Sequence, residues 1–257
     1  MSHYSAGEHR LERIRAFVER EQRTTVDDIA KQFELSTATA RRALVTLAAR
    51  GDIARFRGGA LAIPGAGREH PALQRQAEQR QEKERIGKAA ADLVADGETV
   101  FLGSGTTTLE VARHLGQRRN LAVLTNSLLV IEELASSPDI TVIALGGMLR
   151  RSEYSFIGHL VEQALQEIRA AKVIMGIRAV HPEQGLMNDF LPETLTDRAI
   201  VKLAREVIVV ADHTKCGRVA PTFVAPVVAM HTLVTDSAVP DAFAEALRTN
   251  GITVVRA

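Results

Sequence analysis

The stretch Leu35-Ser36-Thr37-Ala38-Thr39-Ala40-Arg41-Arg42-Ala43-Leu44-Val45-Thr46-Leu47, closed by Gly51, decides how the first part of this 257-residue chain reads. Ser36 is placed to cap a helix, because its hydroxyl can accept a bond from a first-turn backbone N–H that has no partner inside the helix. From Ala40, the residues Ala40, Ala43, Leu44 and Leu47 recur on one face at helical spacing. At about 100° per residue, Ala38, Arg42 and Val45 point the other way, flanked by Thr39 and Arg41. An outer face of small hydroxyls and paired arginines suits a DNA major groove. Ser and Thr reach phosphates there, and Arg reaches phosphates or the paired acceptors of guanine. The candidate DNA contacts on this helix are Ser36, Thr37, Thr39, Arg41 and Arg42.

The flanking residues complete a winged helix-turn-helix. Leu11, Ile14, Phe17 and Val18 supply a core face for a first helix. Thr24 or Thr25 caps a short second helix, Val26 to Gln32, which buries Ile29 and Ala30. The turn Phe33-Glu34-Leu35 leads into the third helix. After Gly51, the run Ile53-Ala54-Arg55-Phe56-Arg57 and the pair Gly58-Gly59 read as a basic strand and a tight turn. Arg55 and Arg57 alternate onto one face, where they can lie along a phosphate backbone. A helical hairpin with a solvated arginine face is the alternative for the arginine pair taken alone. The ordered set of cap, turn, helix, glycine and basic hairpin favours the winged motif.

Residues 8 to 62 resemble the N-terminal domain of the DeoR family of bacterial transcriptional regulators. The match is carried by Ser36, Thr39, Arg41, Arg42 and Gly58-Gly59-Ala60. Ala43 stands where that family usually has an aspartate, and Arg57 where it usually has a histidine. Both departures bear on the preferred DNA sequence.

Hydrophobic residues make up 46% of the chain, enough for a large buried core in two domains. The net charge of +1 hides an asymmetry: residues 1–63 hold 11 Lys and Arg against 8 Asp and Glu. A positive head on a slightly negative body fits a nucleic-acid partner. The single cysteine, Cys216, precludes an internal disulfide and a cysteine-based zinc site. No cofactor, metal or catalytic residue is expected. No apolar run reaches the ~18 residues of a membrane span, and the N-terminus does not read as a signal peptide, so a cytoplasmic location is expected. The expected organisation is a DNA-binding domain over 1–62, a linker over 63–80 and an α/β domain over 81–257. The linker contains the breaker cluster Pro64-Gly65-Ala66-Gly67 and a polar stretch, Gln74 to Glu82, that reads as a solvated helix start.

Beyond Arg85, apolar runs alternate with helical stretches. The expected strands are Thr99–Leu102, Leu121–Leu124, Ile140–Leu145, Val173–Met175, Val207–Val210, Thr232–Val234 and Ile252–Val255. This alternation implies a mainly parallel sheet covered on both faces. In such sheets ligands bind at the C-terminal ends of the strands. Four strand ends carry polar or glycine-rich turns: Gly103-Ser104-Gly105-Thr106-Thr107-Thr108, Thr125-Asn126-Ser127, Gly146-Gly147 and Ala211-Asp212-His213-Thr214-Lys215. The first suits a phosphate, because glycines allow close backbone approach and a helix N-terminus presents free N–H groups. Lys215 can add a point charge. Ser104, Thr106 and Ser127 taken singly are also ordinary helix-starting hydroxyls. His213 reads as an oriented supporting or structural group rather than a catalyst, and Cys216 as an inert thiol.

The stretches Ser104–Thr108, Thr125-Asn126-Ser127, Gly146-Gly147, Ser155–Gly158 and Asp212–Lys215 resemble the DeoR-family sensor domain, over about Lys83 to Asp236. That domain is a relative of ribose-5-phosphate isomerase and of coenzyme A transferases. The resemblance implies a sensor for a phosphorylated sugar. By it, Ser104, Gly105, Thr106, Thr107, Thr108 and Lys215 hold the phosphate, while Asn126, Glu193 and Asp212 meet the sugar. Gly103 replaces a usual family aspartate, which removes a carboxylate from the polyol end, and Ala171 replaces another. The function expected is a sequence-specific repressor that binds an operator in duplex DNA as a homodimer or homotetramer, under control of a phosphorylated sugar. Two other readings stay open: an isomerase-like enzyme with a DNA-binding head, and a regulator that has lost its effector.

Overall fold

The computed structural model describes residues 6–21, 23–49, 53–56, 58–62 and 72–257. The chain divides at residue 68 into two compact units. The first contains α1 (Ala6–Glu21), β1 (Arg23–Thr25), α2 (Val26–Gln32), α3 (Thr37–Ala49), β2 (Ile53–Phe56) and β3 (Gly59–Ala62). The apolar faces meet as expected: Ile14, Val18, Ile29, Ala40, Leu44 and Leu47 are all buried in one core. Of the two threonines offered as a cap, Thr25 makes it. Its hydroxyl accepts from Asp28 N at 3.1 Å, and the Asp28 carboxylate accepts from Thr25 N at 3.0 Å. The strands form an antiparallel sheet in the order β1-β3-β2. That sheet is the wing.

The second unit is built on a seven-stranded parallel sheet with strand order β15-β14-β12-β9-β4-β5-β6. Its strands are β4 (Thr99–Leu102), β5 (Leu121–Thr125), β6 (Ile140–Ala144), β9 (Lys172–Gly176), β12 (Glu206–Val210), β14 (Thr232–Thr235) and β15 (Thr253–Arg256). Every expected strand is present. Successive side chains in a strand face opposite ways, so the sheet has two cores. Phe101, Val173, Met175, Val207 and Val209 pack on one face. Val100, Leu102, Ile174, Ile208 and Val210 pack on the other. Helices α5 (Arg80–Ala91), α6 (Thr106–Leu115) and α7 (Leu128–Leu134) cover the second face through Ile86, Val111, Leu115 and Leu134. Helices α8 (His159–Glu167), α9 (Leu191–Val201) and α10 (Asp241–Thr249) cover the first through Val161, Ile200 and Leu247.

Two features differ from the sequence reading. The first is a set of short antiparallel strands. β7 (Met148–Arg150) pairs β8 (Ser155–Ile157), and β10 (Ala179–His181), β11 (Gly185–Asn188) and β13 (Thr222–Ala225) form a small sheet. Runs of three or four residues are too short to show a period. The second concerns the linker. Residues 63–71, with the Pro64–Gly67 cluster, lie outside the described residues. From α4 (Ala72–Arg75) onward the chain belongs to the second unit, and Arg75 and Lys83 are buried. Residues 77–82 are mostly exposed and lead into α5, as a solvated helix start should, but Arg75 departs from that reading because it is buried against Glu153, far along the chain.

Candidate functional site

The strand order reverses between β4 and β9: β5 and β6 continue on one side, and β12, β14 and β15 on the other. The two loops leaving this point diverge and open a crevice at the carboxyl ends of the strands. A pocket lies there. It is lined by Gly103 to Thr107 after β4, Gly176 to Arg178 after β9, and Ala211, Asp212, Thr214 and Lys215 after β12. Glu193 and Asp197 of α9, Asn188 of β11, Glu153, and Arg75, Glu78, Gln79 and Lys83 complete the wall.

Of the residues singled out from sequence, Gly103, Ser104, Gly105, Thr106, Thr107, Glu193, Asp212 and Lys215 line this pocket. Thr108 does not. It is fully buried, and its hydroxyl donates to Gly105 O at 2.8 Å, so it shapes the loop from behind. Asn126 does not line it either. Its amide donates to Phe156 O at 2.9 Å, and Phe156 N donates to Asn126 O at 2.7 Å. The turns after β5 and β6 are one and two strands away from the β4/β9 reversal. They receive the β7–β8 hairpin, and Ser127 caps α7 by accepting from Val130 N at 3.3 Å.

The loop after β4 has the features of an anion site. Gly105, at the N-cap of α6, sits at φ 128°, ψ 164° and has no side chain with which to cap. The first-turn N–H groups of α6 thus open toward the pocket without an intrahelical acceptor, at the positive end of the helix dipole. Cations converge from four other places. Lys215 follows β12; burial lowers its pKa while Asp212 acts against this. Lys83 of α5 donates to the carbonyls of Arg75 at 2.5 Å and Glu78 at 2.6 Å. Burial brings its pKa down to about 8, against the pull of Asp212. Arg75 and Arg178 both pair with Glu153, Arg178 at 2.8 Å.

The acids are held as firmly. Arg150 pairs with Glu193, which also accepts from Ser155 Oγ at 3.2 Å. Asn188 donates to Asp197 and accepts from Arg178 N at 3.1 Å. Burial, ahead of Coulomb effects, raises the pKa of both Glu193 and Asp197. Asp212 accepts from Thr214 N at 3.0 Å and shapes the β12 turn. His213 lies outside the lining, and its Nδ1 bonds Asp236 at 3.0 Å. Sequence reasoning missed Arg75, Lys83, Glu153, Arg178 and Asp197. No local pattern marks them, since Arg75 and Glu153 meet across 78 residues.

In the first unit, Ser36 accepts from Thr39 N at 3.2 Å, and its hydroxyl lies 2.8 Å from that of Thr39, so it caps α3 as read. Ser36, Thr37, Arg41, Arg42 and Val45 are exposed on the side of α3 away from its core, with Thr39 half-buried. Arg42 Nε reaches back to Ala38 O at 3.4 Å. Arg55 is exposed on β2, beside buried Ile53. Arg57, the other wing candidate, lies outside the described residues.

Comparison with known proteins agrees with both units. Residues 10–64 match the DeoR-like helix-turn-helix domain, and residues 78–237 match the DeoR C-terminal sensor domain. The transcriptional repressor AccR of Agrobacterium fabrum is 32% identical, over 91% of this chain and 91% of the relative. The glycerol-3-phosphate regulon repressor of Escherichia coli is 33% identical, over 84% of this chain and 85% of the relative. Among solved structures, ribose 5-phosphate isomerase A from Methanocaldococcus jannaschii aligns with a TM-score of 0.40 at 19% identity, over 54% of this chain and 55% of that one. No helix among the described residues is long and apolar enough to cross a membrane. With a helix-turn-helix at one end, a sensor domain over most of the remainder and repressors as its relatives along nearly its whole length, the chain belongs to the DeoR family of DNA-binding transcriptional repressors.

Proposed function

We propose that this repressor is controlled by a phosphorylated sugar or closely related metabolite, bound in the crevice between β4 and β9. The observation that carries the reading is the convergence of the uncapped α6 N-terminus with Lys215 and Lys83. Backbone N–H groups, the Ser104, Thr106 and Thr107 hydroxyls and two ammonium groups suit a dianion. Glu193, Asp197 and Asp212 supply hydrogen-bonding groups for the rest of the ligand. In this reading the pocket binds its ligand and does not turn it over. Occupancy then changes operator affinity by its differential coupling to the conformations of the chain. The protein works in the cytoplasm, on duplex DNA.

The test is operator binding followed by fluorescence anisotropy, with and without a panel of sugar phosphates. Wild type is expected to respond to a phosphorylated sugar and not to its unphosphorylated form, which forfeits charge-assisted hydrogen bonds worth about 1.5–3 kcal/mol each. Thr106→Ala and Lys215→Ala should lose the response and keep operator binding. Variants that lose operator binding while keeping ligand affinity would show that the loop is structural.

A further inference from the structure

Of the acids in the pocket wall, Glu153 and Glu193 are held in ion pairs, while Glu78, Asp197 and Asp212 are in none among the described residues. Glu153 holds Arg75 and Arg178, Glu193 holds Arg150, Asp212 and Glu78 both act on Lys83, and Asp212 acts on Lys215 as well. Asp197 is 8% exposed and lines the pocket, yet its hydrogen-bond partner is the neutral amide of Asn188. Among the described residues no ion pair reaches it. Arg150 acts on it from a distance while its guanidinium is bonded to Glu193. Helix α9 creates the situation, because Glu193 and Asp197 stand four residues apart and so share one side of the helix. Burial first, and Glu193 second, hold the Asp197 carboxyl well above the usual carboxylate range. A cation placed beside it would favour the ionised carboxylate that burial disfavours.

We propose that Asp197 selects the ligand, and that the ligand is a sugar phosphate that also carries an amine. This rests on the reading of the β4–α6 loop as the phosphate site. An ammonium group beside Asp197 supplies that cation, makes a charge-assisted hydrogen bond and offsets the burial of a carboxylate. A hydroxyl in the same place leaves the carboxyl without a counter-charge. Asn188, itself fixed by the backbone N–H of Arg178 at 3.1 Å, positions the carboxyl.

Titration calorimetry on the full chain tests this with matched probes. The pairs are glucosamine 6-phosphate against glucose 6-phosphate, and galactosamine 6-phosphate against galactose 6-phosphate, with inorganic phosphate as reference. In wild type the amino form of at least one pair should bind tenfold or more tighter than its hydroxyl partner. In Asp197→Asn that ratio should fall to about one. If both pairs bind wild type within twofold, or the hydroxyl form wins, or the preference survives Asp197→Asn, the assignment is wrong. The wild-type ratios decide the matter even if the variant does not fold. The phosphate reading fails separately, if inorganic phosphate does not bind or if Thr106→Ala leaves its affinity unchanged.

Discussion

Gly103 and Gly105 stand two residues apart in one loop and carry different obligations. At φ 128°, ψ 164°, Gly105 occupies a region that side chains avoid. Gly105→Ala is expected to cost about 1–3 kcal/mol and to displace the first turn of α6, which urea denaturation and loss of ligand response will register together. Gly103 has no such constraint. A Cβ there would lie 3.4 Å from Met175 Cβ and 3.6 Å from Ile174 O, which is ordinary contact. Gly103→Asp should therefore fold normally. By adding a carboxylate to the wall it should raise the affinity for hydroxyl-rich sugar phosphates relative to inorganic phosphate, measured as a ratio of dissociation constants. Lys83 adds a pH dependence. With its pKa brought down to about 8, chiefly by burial, it is charged below that value and neutral above it in the ligand-free protein. Inorganic phosphate stays mostly dianionic over pH 7.5–9.5, so its affinity should fall as pH rises through about 8. Lys83→Met should flatten that fall, and an unchanged slope in the variant would place the titrating group elsewhere. Cys216, pushed up to about 12 by burial, should resist thiol reagents at pH 8 until the chain is unfolded.

The elements place these residues, and two of them carry distinct expectations. Helices α5 and α6 pack closely enough that a Cβ on Gly87 would lie 2.6 Å from backbone and side-chain atoms of Glu110. Gly87→Ala must push α6 away from α5. Overpacking of this kind costs about 1–3 kcal/mol, and here it should also weaken phosphate binding, because α6 brings its N-terminus to the pocket. In the other unit, α3 and β2 are expected to divide the work on DNA. Arg42, exposed on the middle of α3, is expected to read a base edge, so Arg42→Ala should lose about 1–3 kcal/mol on the preferred site and little on random duplex. Arg55, exposed on the wing strand, is expected to meet phosphate. Arg55→Ala should weaken all sequences alike and lower the salt slope by about one. Competition binding at several salt concentrations separates the two patterns.

At the scale of the whole molecule, a single winged helix offers a small DNA interface, and specific affinity usually comes from paired half-sites. The protein is expected to sediment with at least twice the mass of one chain at micromolar concentration. A monomer with and without operator DNA would refute this. The sequence by itself determined the two units, the seven parallel strands, the helices between them and the α3 surface. All of these follow from local periodicity, caps and breakers, which act over a few residues. It also determined which strand ends carry glycines, hydroxyls and a lysine, those after β4 and β12 among them, since such residues can be read in place. The tertiary structure alone decided which strand ends share a pocket. Strand order is a long-range property, and it leaves Asn126 one strand outside while bringing Arg178 in after β9. It alone buried Arg75 and Lys83, because Arg75 reads as solvated until Glu153 is seen beside it and nothing local gives Lys83 the Arg75 and Glu78 carbonyls as partners. A charge's environment depends on partners the local sequence does not contain, whereas a helix or strand depends mainly on its neighbours in the chain.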